Sequence, residues 1–477
     1  MDVKGKAVTV LGLARSGVGA ARLLERLGAR VTVTDRKSPQ ELAPYLVRLG
    51  PGIRQVLGEH PPELFEAASL VVVSPGVPLT LAPLQRAAEK GVRIVGELEL
   101  AYQAVAQGLC RVACGEDRPP AFLAVTGANG KSTTTTLLYE MLKENGNGVL
   151  VGGNIGNALT EEILKAEETA CRRSPAVDSI VVEVSSFQLE TIETFRPRGA
   201  AILNITPDHL DRYRSMEEYV GAKCRIFENQ ETDDFLVLNA DDPVAASLET
   251  KKPGSTRKGP RVFFFSRQRE VRGAYYRDGL IRFALPEPAQ VSSSFVLDPA
   301  SFRIRGVHNI ENAMAASLMA LLSGCSGDAV RRALAAFPGL EHRLEFVRER
   351  SGVQFINDSK GTNVGAVIKS LESFSSPVVL IAGGRDKDGD FTLLRPLVAE
   401  RVKALVLIGE AKEKIRKAAG GGKEVFMTDD FGAAVRKARD YAAPGDVVLL
   451  SPACASFDMF RDFEDRGRQF KKIVEEL

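Results

Sequence analysis

The chain has 477 residues, 44% hydrophobic and 26% charged, and its 63 Lys and Arg against 61 Asp and Glu leave a net charge of +2. Such a composition describes a globular protein too long for one ordinary core, so two to four domains are expected. There is no long basic run and no apolar stretch near the ~20 residues that a bilayer demands, which excludes nucleic acid and membrane as partners.

The opening Met1 to Lys6 leads straight into a strand-like run and is not read as a secretory signal. The expected location is the cytoplasm. The six cysteines agree, because no second pair or nearby histidine completes a zinc set around Cys110 and Cys114.

Residues 1–109 alternate short apolar runs (Ala7–Leu11, Val31–Thr34, Leu70–Val73, Val92–Val95) with helical patterns such as Gly19–Leu27 and Leu81–Lys90. That is an open parallel α/β unit. Its first loop, Gly12-Leu13-Ala14-Arg15-Ser16-Gly17, approximates the dinucleotide fingerprint, with alanine in place of the middle glycine. Asp35 ends the second run, where a ribose-binding acid belongs. The loop suits a diphosphate at a helix N-terminus, from NAD or from a sugar nucleotide; the competing reading is a structural turn.

Cys114 to Pro120 reads as a linker. Beyond it lies the most informative stretch, Ala124 to Thr136, where an apolar run, a glycine loop and an amphipathic run follow one another. Gly127, Asn129 and Gly130 form a loop that aims backbone N–H groups at an anion. Lys131 reaches the outer phosphates of a nucleotide, and Ser132 or Thr133 holds Mg²⁺. The spacing departs from the strict phosphate-loop pattern, because two residues rather than four separate the glycines. The chain is expected to use ATP.

Further on, Glu183 sits within the apolar strand Val181–Val184, near the strand end where open sheets place ligands. Mg²⁺ explains a carboxylate there, with a salt bridge as the competitor. His209, with Asp208 and Asp211, could bind a metal or orient phosphate. Tyr219 to Asn229 reads as a helix carrying Lys223. A hairpin is predicted over Ala274–Phe283, turned by Asp278-Gly279. Asn309 and Asn312, three apart, share a helix face and could bracket a purine or ribose. Arg343 is a planar cation suited to phosphate oxygens. From about 340 the β/α alternation returns as a further open sheet. There Asn357 to Thr362 leaves a strand and precedes a helix, and Ser451 to Phe460 is predicted to follow a strand and open a helix, a second anion-binding geometry.

These residues together resemble the Mur ligase family, the ATP-dependent amide-forming ligases that build the peptide of peptidoglycan. Thr126 to Thr133, Glu183, Asn204 to His209, His308 to Asn312, His342-Arg343 and Asp358 to Lys360 appear in the family's order over essentially the whole chain. Within the family, Ser185 to Glu190, Asn357 to Asn363 and Ser451 to Phe457 look like the branch that adds D-glutamate. A folate-type ligase has no need of the first α/β segment, and a dehydrogenase leaves the Lys131 loop unexplained.

The resemblance implies an α/β fold of three domains: 1–109 for a UDP-sugar, a central 110–339 of phosphate-loop ATPase type for ATP and Mg²⁺, and 340–477 for the amino acid, the outer two Rossmann-like. It implies UDP-N-acetylmuramoyl-L-alanine and D-glutamate as substrates, an acyl-phosphate intermediate, two Mg²⁺ ions and a monomer. Ser132 and Glu183 would serve one ion; His209 and Lys223, the latter carbamylated, would serve the other. Lys131, Glu183, His209 and Lys223 form the catalytic set. Gly127, Asn129, Gly130, Lys131, Ser132, Thr133, Asn309, Asn312, Arg343 and Asp358 would contact ATP. Gly12, Ser16, Ser74, Gly76, Ser185 and Lys360 would bind substrate, Arg36 and Lys37 after Asp35 would pair with the UDP diphosphate, and Asn154 would contact the sugar-side substrate. Lys387, Ser456 and Phe463 would receive D-glutamate, with Thr362 nearby. The basic pair Arg36-Lys37 departs from the small hydroxyl residue the family places after this acid.

Overall fold

The computed structural model describes residues 1–112, 119–170, 177–208, 212–250, 259–286, 294–304 and 306–477, without the side chains at 170, 249 and 250. Three α/β sheets account for the architecture. The first is wholly parallel, in the order β3-β2-β1-β4-β5, with β1 Ala7–Leu11, β2 Arg30–Asp35, β3 Arg54–Leu57, β4 Leu70–Val73 and β5 Arg93–Gly96. The apolar runs Val8–Leu11 of β1 and Leu70–Val73 of β4 are buried, as strands covered on both faces must be.

The second sheet has nine strands in the order β14-β13-β12-β11-β10-β9-β6-β8-β7. They are β6 Ala121–Thr126, β7 Val149–Gly153, β8 Ser179–Glu183, β9 Gly199–Ile202, β10 Phe235–Asn239, β11 Arg261–Ser266, β12 Gly273–Arg277, β13 Leu280–Ala284 and β14 Val296–Leu297. The expected hairpin is β12–β13, with Asp278 at φ +53° and Gly279 at φ +78°, the pair of positive φ values that a two-residue hairpin turn needs. The third sheet runs β15-β16-β20-β17-β18-β19, from β15 Glu345–Arg350, β16 Val353–Asn357, β17 Val378–Gly383, β18 Val402–Ile408, β19 Glu424–Thr428 and β20 Val447–Leu450. It is parallel except at the β15 edge.

By compactness the chain divides into two units. One comprises Met1–Ile205, Glu217–Asp298 and Ala313–Leu334; the other comprises Thr206–Met216, Pro299–Asn312 and Ala335–Leu477. The first unit thus holds two sheets, joined through buried carboxylates on the helix Glu97–Ala106. Glu99 accepts hydrogen bonds from the backbone N–H groups of Glu193 (3.0 Å), Thr194 (2.9 Å) and Phe195 (3.0 Å), and from the Thr194 hydroxyl. Glu97 accepts from the N–H and hydroxyl of Thr160 at 2.7 and 2.8 Å. The core of the second unit lies on both faces of the third sheet, around Leu380, Leu405 and Leu449 on one side and Phe355, Val406 and Phe470 on the other. Among the described residues no helix is long and apolar enough to cross a membrane.

Candidate active site

The glycine loop leaves β6 at Thr126 and enters the helix Lys131–Glu144. Gly130 is the helix N-cap at φ +83°, a conformation that costs a side-chain-bearing residue about 1 kcal/mol or more. Gly127 leaves room for the neighbouring strand end, since a Cβ there would lie 3.1 Å from Leu203 Cβ. Asn204 shapes the loop from beyond β9: its Oδ1 accepts from Asn129 N–H (2.7 Å) and its Nδ2 donates to Asn129 O (3.0 Å). Lys131 Nζ donates to the carbonyls of Gly127 and Ala128, both at 3.0 Å, and Ser132 and Thr133 are buried in the first helical turn. The N-cap Gly130 has no side-chain cap hydrogen bond, and the positive end of the helix favours an anion beside it.

Glu183 ends β8 beside Val125 of β6 and is 2% exposed. Its Oε1 accepts from Asn154 Nδ2 (2.8 Å), while Oε2 is buried with no hydrogen-bond partner among the described residues. Asn154 is also tied by its N–H to Glu183 O (2.9 Å). This close approach needs Gly153, at φ +102°, where a Cβ would fall 2.4 Å from Glu183 O. Lys223, on the helix Met216–Cys224, is 2% exposed; its Nζ donates to Gly127 O at 3.1 Å and lies 4.6 Å from the centre of the Tyr219 ring. Gly127, Lys131 and Lys223 are therefore together, and Glu183 with Asn154 stands one strand away. Ser185 caps the helix Ser186–Leu189 in a capping box with Gln188. The expected ligand His209 and its neighbour Asp211 lie outside the described residues, as does the linker over 113–118.

At the first sheet, Gly12 follows β1 at φ +91°, and its carbonyl accepts from the Ser74 hydroxyl at 2.9 Å. Ser16 lies in the first turn of the helix Arg15–Arg26, whose N-cap Ala14 offers no side-chain cap. Asp35 Oδ2 accepts from Leu13 N–H (2.7 Å) and Oδ1 from Lys37 N–H (3.0 Å), so the acid at the end of β2 also shapes the loop after β1. Arg36, Lys37 and Gly76 are exposed. Arg15 was not singled out by any pattern, yet its guanidinium donates to Gly156 O at 3.4 Å, next to the turn that bears Asn154.

In the second unit, Asn312 Nδ2 donates to Asn309 Oδ1 (3.2 Å) on the expected shared face. His308, one residue earlier, meets the Ser373 hydroxyl through Nδ1 at 3.2 Å. Burial, helped by the charges of Arg343 and Lys369, pushes its pKa down to about 4. Asp358 is buried, and burial lifts its pKa to about 6 despite hydrogen bonds to Oδ2 from Ser451 (2.6 Å) and Ser370 (2.7 Å) and the nearby Arg343 charge. Lys360 lies with its ammonium 3.7 Å from the centre of the Phe463 ring. Thr362 and Lys387 are half-buried and Ser456 is buried.

One expectation is corrected. Ser451 to Phe460 leaves β20 but does not open a helix; the next helix, Phe463–Glu476, starts after the cap Asp462. Ala453 at φ +59° breaks any helical path, and Ala455 instead pairs its backbone with Arg385. The loop is pinned by a residue that no sequence pattern marks. Arg466 is 0% exposed and donates to Ser359 Oγ (2.9 Å), Ser359 O (2.8 Å) and Cys454 O (3.3 Å).

Comparison with known proteins agrees over the whole length. The family model for the Mur ligase MurD-like N-terminal domain matches residues 6–96, that for the Mur ligase middle domain 125–320, and that for the Mur ligase glutamate ligase domain 342–454. The UDP-N-acetylmuramoylalanine--D-glutamate ligase of Geotalea uraniireducens is 47% identical over 100% of this chain and 99% of its own. The protein of that name from Pelotomaculum thermopropionicum is 45% identical over 99% and 98%. Among solved structures, the MurF ligase of Thermotoga maritima in complex with ADP superposes with a TM-score of 0.60 at 17% identity, covering 99% of this chain and 96% of that one. The MurC ligase of the same organism gives 0.59 at 18%, covering 99% of each. These likenesses bear on the three-domain fold. At the identities of the full-length relatives, the chain belongs to the Mur ligase family.

Proposed function

We propose that the chain is an ATP-dependent ligase that joins D-glutamate to UDP-N-acetylmuramoyl-L-alanine, releasing ADP and phosphate, in cytoplasmic peptidoglycan precursor synthesis. The observation that carries the reading is the buried Glu183 carboxylate beside the Gly127–Lys131 loop, with Oε2 open. A dry carboxylate with a free oxygen fits a hard cation, and Mg²⁺ held by one carboxylate, a hydroxyl and nucleotide phosphates needs no larger protein cage. Glu183 and Ser132 would hold one such ion; His209 and a carbamylated Lys223 would hold the second. Bound Mg²⁺ supplies charge stabilisation at the phosphates.

The chain's own residues do the rest. The loop N–H groups and Lys131 hold the outer phosphates and stabilise charge as the substrate carboxylate attacks the γ-phosphorus and ADP departs. The amine of D-glutamate then attacks the acyl-phosphate carbon, loses a proton, and phosphate leaves from the tetrahedral intermediate. Asn154 is assigned to the sugar-side substrate. The Arg15 link to Gly156 supports a path from the first-sheet diphosphate loop toward Asn154 and Glu183. Asn309, Asn312, Arg343 and Asp358 are assigned to the nucleotide, and Lys360, Thr362, Lys387, Ser456 and Phe463 to D-glutamate. The acid and amino acid themselves rest on the names of the full-length relatives. The domain limits 1–109, 110–339 and 340–477 and a monomeric state complete the reading.

The test is phosphate release from ATP and Mg²⁺ in the presence of UDP-N-acetylmuramoyl-L-alanine. Release that requires D-glutamate and fails with L-glutamate is expected. Release supported instead by another amino acid or by a folate would move the chain to a sibling activity.

A further inference from the structure

The glycine loop between β6 and Lys131 belongs to no helix or ladder, so its peptide groups need partners from elsewhere. Lys131 Nζ takes the carbonyls of Gly127 and Ala128. Asn204 takes three groups more. Its backbone O accepts from Ala128 N–H (3.0 Å), its Oδ1 accepts from Asn129 N–H (2.7 Å), and its Nδ2 donates to Asn129 O (3.0 Å). The pairing of β6 with β9 ends at Thr126 and Ile202, yet Leu203 N–H still donates to Thr126 O at 3.0 Å. Asn204 thus carries the grip of β9 past the end of the ladder and onto the loop.

Asn204 is itself held on both sides. β10 lies beside β9, and its last residue, Asn239, is 5% exposed. Asn239 Nδ2 donates to Leu203 O (2.9 Å), while its Oδ1 accepts from Asp241 N–H (2.9 Å), which fixes the way the amide faces. Asp242 Oδ2 accepts from Ile205 N–H (2.9 Å), while its Oδ1 accepts from Ala245 N–H (2.8 Å). The peptide groups before and after Asn204 are therefore both pinned by side chains from the end of β10. Three neighbouring strand ends, β10, β9 and β6, form one relay at the carboxyl edge of the second sheet.

We propose that Asn204 is a positioning residue for nucleotide binding and phosphoryl transfer, and that Asn239 acts through it. The inference rests on the reading of the Gly127–Lys131 loop as the ATP site. A loop that holds its binding shape for only a fraction of the time binds more weakly by that fraction. A clamp that fixes the shape beforehand removes this loss. Asn204 is such a clamp, made of protein groups alone, and Asn239 keeps it aimed.

The experiment is initial-rate kinetics of the full chain, with ADP as competitor of ATP, in the wild type, Asn204→Ala, Asn239→Ala and the double variant. In Asn204→Ala the inhibition constant of ADP should rise about ten-fold, while the KM of UDP-N-acetylmuramoyl-L-alanine stays within about two-fold. A merely structural role would move both constants together or lower kcat alone. Asn239→Ala leaves the direct contacts of Asn204 with the loop in place; it should weaken ADP by about three-fold by itself and add nothing in the Asn204→Ala background. An unchanged ADP constant in Asn204→Ala, or a parallel rise in the KM of the sugar nucleotide, overturns the positioning role and leaves the ATP site standing. Additive effects of the two variants overturn the relay from Asn239. A wild type in which ADP does not compete with ATP overturns the loop as the ATP site and the inference with it.

Discussion

Gly153→Ala should destabilise the unit that holds the first two sheets by about 3 kcal/mol, far more than its position at the end of an outer strand suggests. Two terms make up the figure. A residue with a side chain at φ +102° carries backbone strain of about 1–3 kcal/mol. The new Cβ would also stand 2.4 Å from Glu183 O and 2.8 Å from Val182 Cγ1. Neither can retreat cheaply, because β8 lies between β6 and β7 and Glu183 O already accepts from Asn154 N–H. Parting β7 from β8 to relieve the overlap sacrifices a ladder hydrogen bond, about 1 kcal/mol more. Gly156→Ala is the control within the same turn: its φ is +64° but nothing lies within 4 Å of its Cβ, so only about 1 kcal/mol of strain applies. Urea unfolding of the two variants should show the midpoint of Gly153→Ala falling at least twice as far. ATP turnover should fall in Gly153→Ala alone, as Asn154 leaves Glu183. Equal midpoint shifts would refute the argument from close approach.

Two further outcomes are expected. Lys223→Ala should lose nearly all ligase activity and regain part of it on addition of short-chain carboxylic acids; an absence of rescue at every concentration would remove the carbamate. His308 gives the second unit a pH dependence. Its folded form stays neutral down to about pH 4, whereas the unfolded chain takes up the proton near 6.5, so between those values the unfolded state binds more protons and stability falls on acidification. Asp358, lifted to about 6, acts in the opposite sense, since the folded carboxyl takes up a proton before the unfolded one does at 3.8. His308→Gln should therefore lessen the loss of stability on acidification between about pH 6.5 and 4, read from denaturant midpoints; an unaltered slope would count against the neutral ring.

Most of the fold was legible because strands covered on both faces are short apolar runs, and loops at strand–helix junctions carry glycine and hydroxyl residues in fixed positions. Two of the edge strands were not. β3 reads Arg-Gln-Val-Leu and β15 reads Glu-Phe-Val-Arg-Glu-Arg, so neither shows an apolar run. Lys131 and Glu183 stood out as charges next to a phosphate loop or within an apolar run, whereas Lys223 reads as an ordinary helical lysine and is marked only by the family resemblance. Arg466 did not stand out, because it acts on loops distant in sequence and leaves no local pattern. The misread start of the last helix has the same origin. Nothing between Ser451 and Phe460 announces that a guanidinium more than ten residues on will hold the carbonyl of Cys454.

The carboxylate of Glu99 has a consequence for anyone who would take this enzyme apart. Its two oxygens gather the N–H groups of three consecutive residues, 193–195, from the loop that leads into β9. A chain severed after residue 109 would leave those three donors bare on one fragment and a dry anion on the other. The first sheet is therefore not a detachable cassette. Chimeras that exchange it between relatives should carry the turn after Leu189 along with it, so that the acid and the peptide groups it collects travel as one piece.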